Sequence, residues 1–481
     1  DQKAIRVSVH SLPTAEDILG ILQYEEAPLE IWLRFAVEYY RQNRYDIFEE
    51  ILKSGCSPDA EEHFAHDTKG RLKMLNALAA YKISLEKGSG KGSAGNHLAE
   101  AVELISRADK IDEHEGLTWV NKGVLSLVRG EDENALQNFD SALQSDPRNL
   151  LAKLGKGTIL FKRREFATAR DQFKRTIREH PGCSASVRVN LGLCYYELGN
   201  ESRAVECFER ALQLDATDVS AHVALAVIEL GRAQEHDFDL KLSQRAMQRL
   251  RRAYELQPTN AMVLNHMANH FFFRKGEEER DYSRIESLAR KAYKSTHLDP
   301  IKAESAYILG RNFHETKDHA SALQFYERAL EHWSGFTLAQ YGRAQMLLAK
   351  SDIPERDRKI KSKNDEARKQ ALGVLDRILR EPAHKNDRDT SLFAAWLHIR
   401  MNHRAQAMTL LKQVTQDDPN DTEAWLEQAH VMQKEANLNK KQKRETLRAY
   451  TKAAAGLRPV PPFIYTNVGE LKFSLGDVRG A

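Results

Sequence analysis

The sequence predicts an all-α fold, an α-solenoid of roughly eleven helix pairs, and three observations carry that reading. Small and aromatic residues recur at a fixed interval: Trp119, Gly123, Ala135, Phe139, Ala142 and Pro147 return as Lys153, Gly157, Ala169, Phe173, Thr176 and Pro181. Glycine (25) and proline (13) together are about 8% of 481 residues, against ~12% in average usage, so a many-stranded β protein is disfavoured. The same register then runs on almost to the last residue.

Taken in order, Ile5, Val7 and Val9 alternate with polar residues and predict a short extended N-terminal arm, followed by a lead-in helix within 1–27. Residues 28–116 read as degenerate pairs. Trp32, Phe35, Ala36 and Tyr39 mark a first helix, with Phe48 to Leu52 as its mate. Leu72 to Leu85 and Leu98 to Ile111 form the next, split by a flexible stretch near 87–96 that includes Gly88 to Gly95. Residues 117–260 hold the regular repeats, continued by Leu191-Gly192, Tyr195, Ala204, Phe208 and Ala211, then Leu225-Ala226, Ala246, Leu250, Ala253 and Pro258.

Residues 261–481 carry further repeats with charged insertions. Their markers are Met267-Ala268 with Ala292, Leu309-Gly310 with Ala322 and Tyr326, and Tyr341-Gly342 with Leu375 and Ile378. Ala395 with Ala407 and Leu411, Trp425 and Ala429 with Tyr450 and Ala453, and Val468-Gly469 follow. These are the marks of tetratricopeptide repeats, antiparallel helix pairs stacked into a right-handed superhelix. Small residues at the eighth and twentieth positions let the two helices approach. The aromatic at the twenty-fourth fills the gap to the next pair, and proline ends the second helix. The last repeat stops short of its second helix, as expected for the front of a longer protein.

A formal net charge of +3, from 72 basic and 69 acidic residues, gives no global drive toward nucleic acid or an anionic membrane. Cys56, Cys183, Cys194 and Cys207 are too sparse for a disulfide framework and contain no Cys-x-x-Cys pair. No apolar run approaches the ~18 residues of a membrane span.

Catalytic and cofactor signatures fail on inspection. The glycine/serine stretch has the composition of a phosphate loop, but Lys91 is followed by Gly92 and a helix precedes it. His266 and His270 stand at i and i+4, yet Met267 occupies the place of the general-base glutamate of the zinc peptidase motif. No cofactor and no metal are expected, and the histidines are read as packing residues. Basic runs at Arg356 to Lys363, Arg249 to Arg252 and Lys440 to Arg444 serve solubility or touch nucleic acid or an acidic partner. The first and last are expected in exposed loops between paired helices.

The first helix of each tetratricopeptide pair lines the inner wall of the superhelix through positions two, five, nine and twelve. Those positions hold Leu117, Val120, Val124 and Leu127, then Leu151, Leu154, Thr158 and Phe161. Ser186, Val189, Leu193 and Tyr196 come next, followed by Val223 and Val227. So apolar a wall fits a groove that binds an apolar partner segment; the bland alternative is a wall that packs on itself. Downstream the same positions turn polar, with Asn265, Asn269, Glu304, Arg311 and His314.

Two segments are more specific than the repeat itself: Ile31-Trp32-Leu33 through Glu38-Tyr39-Tyr40, and Asn265-His266-Met267-Ala268-Asn269-His270-Phe271-Phe272-Phe273. Through them the chain resembles the tetratricopeptide scaffold subunit of the RNA polymerase II-associated factor (PAF) complex over essentially its whole length. The resemblance implies a nuclear, non-enzymatic scaffold supporting transcription elongation and co-transcriptional histone modification. Its implied partners are the subunit that names the complex and parafibromin, and indirectly RNA polymerase II and chromatin, with no membrane. Two other classes stay open. A chaperone adaptor needs a Lys/Asn carboxylate clamp where this chain offers Val120, Val124, Gly155, Ser186 and Asn190. A glycosyltransferase-fronting module needs an asparagine ladder, of which only Asn265 and Asn269 are present.

Overall fold

The computed structural model describes residues 12–86, 94–235, 239–273, 281–349, 358–382, 384–434 and 438–477. The extended arm proposed around Ile5 lies outside the described residues, as does the glycine/serine stretch up to residue 93. Regular structure among the described residues is helical throughout, and the chain divides into two compact units, Asp1–Pro258 and Thr259–Ala481.

In the first unit a lead-in helix, α1 (Ala15–Tyr24), precedes the hairpin α2 (Leu29–Arg41) and α3 (Tyr45–Gly55). A short α4 (Pro58–His63), which the repeat pattern does not anticipate, separates these from α5 (Thr68–Glu86) and α6 (Ala94–Ile111). Four regular hairpins follow: α7 (Gly116–Arg129) with α8 (Asp132–Ser145), and α9 (Leu150–Lys162) with α10 (Phe166–Glu179). The others are α11 (Ala185–Glu197) with α12 (Glu201–Leu214), and α13 (Val219–Glu235) with α14 (Leu240–Leu256).

The second unit repeats the plan. It contains α15 (Ala261–Phe272) with α16 (Tyr282–Ser295), α17 (Asp299–Glu315) with α18 (His319–His332), and α19 (Thr337–Ala349) with α20 (Arg358–Arg380). Next come α21 (Arg388–Arg400) with α22 (Arg404–Asp417), α23 (Thr422–Gln433) with α24 (Lys440–Gly456), and α25 (Pro462–Ser474). Among the described residues this makes eleven helical hairpins, and each unit is an α-solenoid.

The residues at the small and aromatic positions build the core. Ala135, Phe139, Ala142, Ala169, Phe173, Ala204, Phe208 and Ala211 are all buried. A methyl group placed on Gly123 would lie 2.6 Å from the Phe139 ring, and one on Gly155 2.4 Å from it. The ring is therefore clamped between the first helix of its own repeat and that of the next. Tyr326 is held in the same way between Gly310 and Gly342, at 2.8 and 2.5 Å.

Turns inside the hairpins use a left-handed residue. Gly130 and Gly199 occupy it at φ 80° and 73°, but Arg164 and Lys317 adopt φ 64° there. An L-residue with a Cβ is strained in that region by ~1 kcal/mol or more. Arg164→Gly is accordingly expected to raise the stability of the first unit by about 0.5–1 kcal/mol, read as a higher urea midpoint.

Two basic runs are helical where they are described, Arg356 and Asp357 lying outside the described residues. Arg358 to Lys363 belongs to the start of α20, and Lys440 to Arg444 forms the first turns of α24. Asn439 caps α24, accepting from the Gln442 amide while the Gln442 side chain accepts from the Asn439 amide. That reciprocal box fixes the start of α24 at Lys440. The third run serves packing: Arg249 bonds the buried Glu229 at 3.0 Å, and Arg252 pairs with Glu255 at 3.2 Å.

Burial also settles the cysteines. The thiols of Cys56 and Cys194 are pushed up to about 12 by burial, so both stay protonated as small apolar fillers. Among the described residues no group of three or more His, Cys, Asp or Glu side chains is arranged to hold a metal ion, and no helix is long and apolar enough to cross a membrane.

Candidate protein-binding groove

The first helices of successive hairpins lie side by side, and in the first unit their shared face holds a cleft of 710 Å³. Four first helices line it: α2 with Leu33, Val37 and Arg41, α5 with Lys73, Asn76 and Ala77, α7 with Leu117 and Val120, and α9 with Leu151. Its floor is apolar and its rim charged. Glu30 pairs with Arg34 at 3.1 Å and Glu38 with Arg41 at 3.3 Å, so the α2 rim carries both signs.

The groove positions read from the sequence fall into three groups. Leu117 and Leu151 are exposed within the cleft, at 38% and 53%, and Tyr196 is exposed further along. Val124, Leu127, Leu154, Phe161, Leu193 and Val227 are half-buried, all but the last packed against core clusters. Val120, Val189 and Val223 are buried by their own unit. These three fit the self-packing explanation, whereas Leu154, also at position five, stays half-buried. The apolar opening lies nearer the N-terminus than the repeat positions suggest, and α2 and α5 supply half of its wall.

A polar seam between α5 and α7 fixes that wall. The Asn76 side chain donates to Thr118 Oγ1 at 2.9 Å, and Asn121 donates to both the backbone and side-chain oxygens of Asn76 at 2.9 Å. All three side chains are buried, so each bond replaces a hydration that folding removes. The degenerate pattern of 28–116 hides this seam, because its partners lie more than forty residues apart.

The polar positions of the second unit form a seam of the same kind between α15 and α17. Asn265, fully buried, donates to Glu304 at 3.3 Å and accepts from Ser305 at 2.8 Å. Arg311 donates to Asn269 at 2.5 Å, with its guanidinium 3.8 Å from the centre of the Phe272 ring. The two asparagines are thus engaged inside the unit and do not form an open ladder. Burial lowers the His266 pKa, and the Glu304 charge offsets this only in part. A neutral imidazole at neutral pH fits a packing role.

Family models of the tetratricopeptide repeat match residues 120–182, 185–218 and 303–331. With the hairpin geometry they make this a tetratricopeptide-repeat protein. Two curated relatives are similar over most of the chain. One, "Protein CTR9 homolog" of Arabidopsis thaliana, is 33% identical over 88% of this chain and 37% of its own length. The other, "RNA polymerase-associated protein CTR9" of Caenorhabditis elegans, is 31% identical over 84% of this chain and 34% of its own. The chain belongs with the CTR9-like tetratricopeptide-repeat proteins. It spans little more than a third of the length of these relatives. Among solved structures, the Cut9-Hcn1 hetero-tetramer is similar at a TM-score of 0.49 and 15% identity, over 84% of this chain and 76% of that one.

Proposed function

We propose that this chain is the tetratricopeptide part of a nuclear scaffold that assembles an RNA polymerase-associated complex of the PAF type, supporting elongation and co-transcriptional histone modification. Similarity to a relative named for RNA polymerase association supports the complex. The observation that carries the scaffold role is the cleft of α2, α5, α7 and α9, whose apolar floor and mixed-charge rim suit an amphipathic segment of a partner subunit. The subunit that names the complex is the proposed occupant, with parafibromin docking on the assembly. The protein holds partners and transforms no substrate.

Leu117→Glu combined with Leu151→Glu tests this. Both side chains face the cleft and are exposed, so the carboxylates cost little in the free protein. Against an apolar partner segment they would be desolvated and unpaired, at several kcal/mol. Isothermal titration with the complex-naming subunit is expected to show at least a hundredfold loss of affinity with an unchanged melting temperature. Retained affinity would place that partner on another surface.

A further inference from the structure

Helix α24 carries Lys440, Lys441, Lys443, Arg444, Arg448 and Lys452 against a single carboxylate, Glu445. Lys440, Arg444, Arg448 and Lys452 follow one another at i, i+4, and Lys441 stands beside them, so the five share one face of the helix. All five are exposed, and among the described residues no carboxylate lies within ion-pair distance of any of them. That contrasts with the Arg249 to Arg252 run, where Arg249 and Arg252 are paired. Like charges four apart on a helix destabilise it by a few tenths of a kcal/mol per pair. The sequence accepts that cost and offsets it with the Asn439–Gln442 capping box.

We infer that this face of α24 is a binding site for the phosphodiester backbone of nucleic acid. Each four-residue step rises ~6 Å, so the stripe from Lys440 to Lys452 is ~18 Å long. One strand of a duplex presents a phosphate about every 3.4 Å, so the stripe spans about five phosphates. The stripe consists of lysine and arginine alone, the side chains that most often bond phosphate oxygens, which fits sequence-independent contact with the backbone. Protein interfaces need an apolar or aromatic anchor at their centre. No large apolar side chain of α24 is exposed, so the face lacks what an acidic protein partner would require. The site is separate from the proposed partner groove, which lies in the first unit, and stands whether or not that groove binds.

The test is fluorescence anisotropy of the 481-residue chain with a labelled 20-base-pair DNA duplex, a 20-nucleotide RNA and a polyglutamate peptide, over a salt series. Arg444→Gln/Arg448→Gln/Lys452→Gln is compared with Arg148→Gln/Lys241→Gln/Arg251→Gln, which removes three exposed charges from the first unit. The first variant is expected to bind duplex or RNA at least tenfold more weakly. Its log–log salt slope should fall by roughly 3 for the duplex, about one per cation removed, with an unchanged melting curve. The second should bind like the parent. Binding of the duplex alone, or of RNA alone, identifies which nucleic acid the stripe serves. Absence of nucleic-acid binding by the parent, equal losses in both variants, or stripe-dependent capture of polyglutamate alone would overturn the assignment.

Discussion

Phe139→Ala is expected to destabilise the first unit by about 3–5 kcal/mol, close to the largest loss any single side chain in this chain can cause. The ring is fully buried, and its two faces are closed by the α-carbons of Gly123 and Gly155. The backbone has already approached as near as the absence of a Cβ allows, so the cavity cannot collapse by drawing the helices closer. The reverse change is equally costly. Gly155→Val would place a β-carbon 2.4 Å from the fully buried ring. In a solenoid each repeat leans only on its neighbours, so the loss should be local. Hydrogen exchange is expected to show faster exchange across α7, α8 and α9, with α17 and α18 unaffected. Equal acceleration in both units would refute the local account.

The clamp explains which parts of the fold were legible in the sequence. Gly157, Ala169 and Phe173 could be read because a close helix crossing tolerates only certain residue sizes at fixed spacing. Gly155 could not, because its requirement comes from Phe139 in the preceding repeat. The twelve groove positions all lie on first helices, but position numbers do not encode how tightly those helices pack. Val120, Val189 and Val223 disappeared into the wall, while Leu117 and Leu151 stayed open. The half of the cleft formed by α2 and α5 was missed because 28–116 departs from the repeat signature. The helical character of Lys440 to Arg444 had a readable sign in Asn439 and Gln442, three residues apart, which the density of charge obscured.

Lys82→Met is expected to cost the first unit about 3 kcal/mol, although methionine fills nearly the same volume. Lys82 is 2% exposed, with its Nζ 2.8 Å from Glu49 and 2.5 Å from Glu100, so one buried ammonium joins α3, α5 and α6. Removing the cation leaves Glu100 without its lysine and Glu49 with Lys53 alone, the costly way to break such a network. Burial alone would lower the Lys82 pKa, but the bonds from Glu100 and Glu49 raise it above its ordinary value. Burial likewise raises Glu49, and the bonds from Lys53 and Lys82 bring it below the usual carboxylate range. The signs set the pH window. The lysine contribution is complete below its unfolded pKa and is lost only as the pH rises through the raised value. The glutamate contribution is complete above its unfolded pKa and is lost as the pH falls through the lowered one. The gap between parent and Lys82→Met should therefore be widest at neutral pH and narrow as the pH falls through the carboxylate range, where Glu49 protonates. Adding Glu49→Gln and Glu100→Gln to Lys82→Met should recover most of the loss at pH 7. A penalty that is independent of pH and unrelieved by the two glutamines would mean that lysine acts there through packing alone.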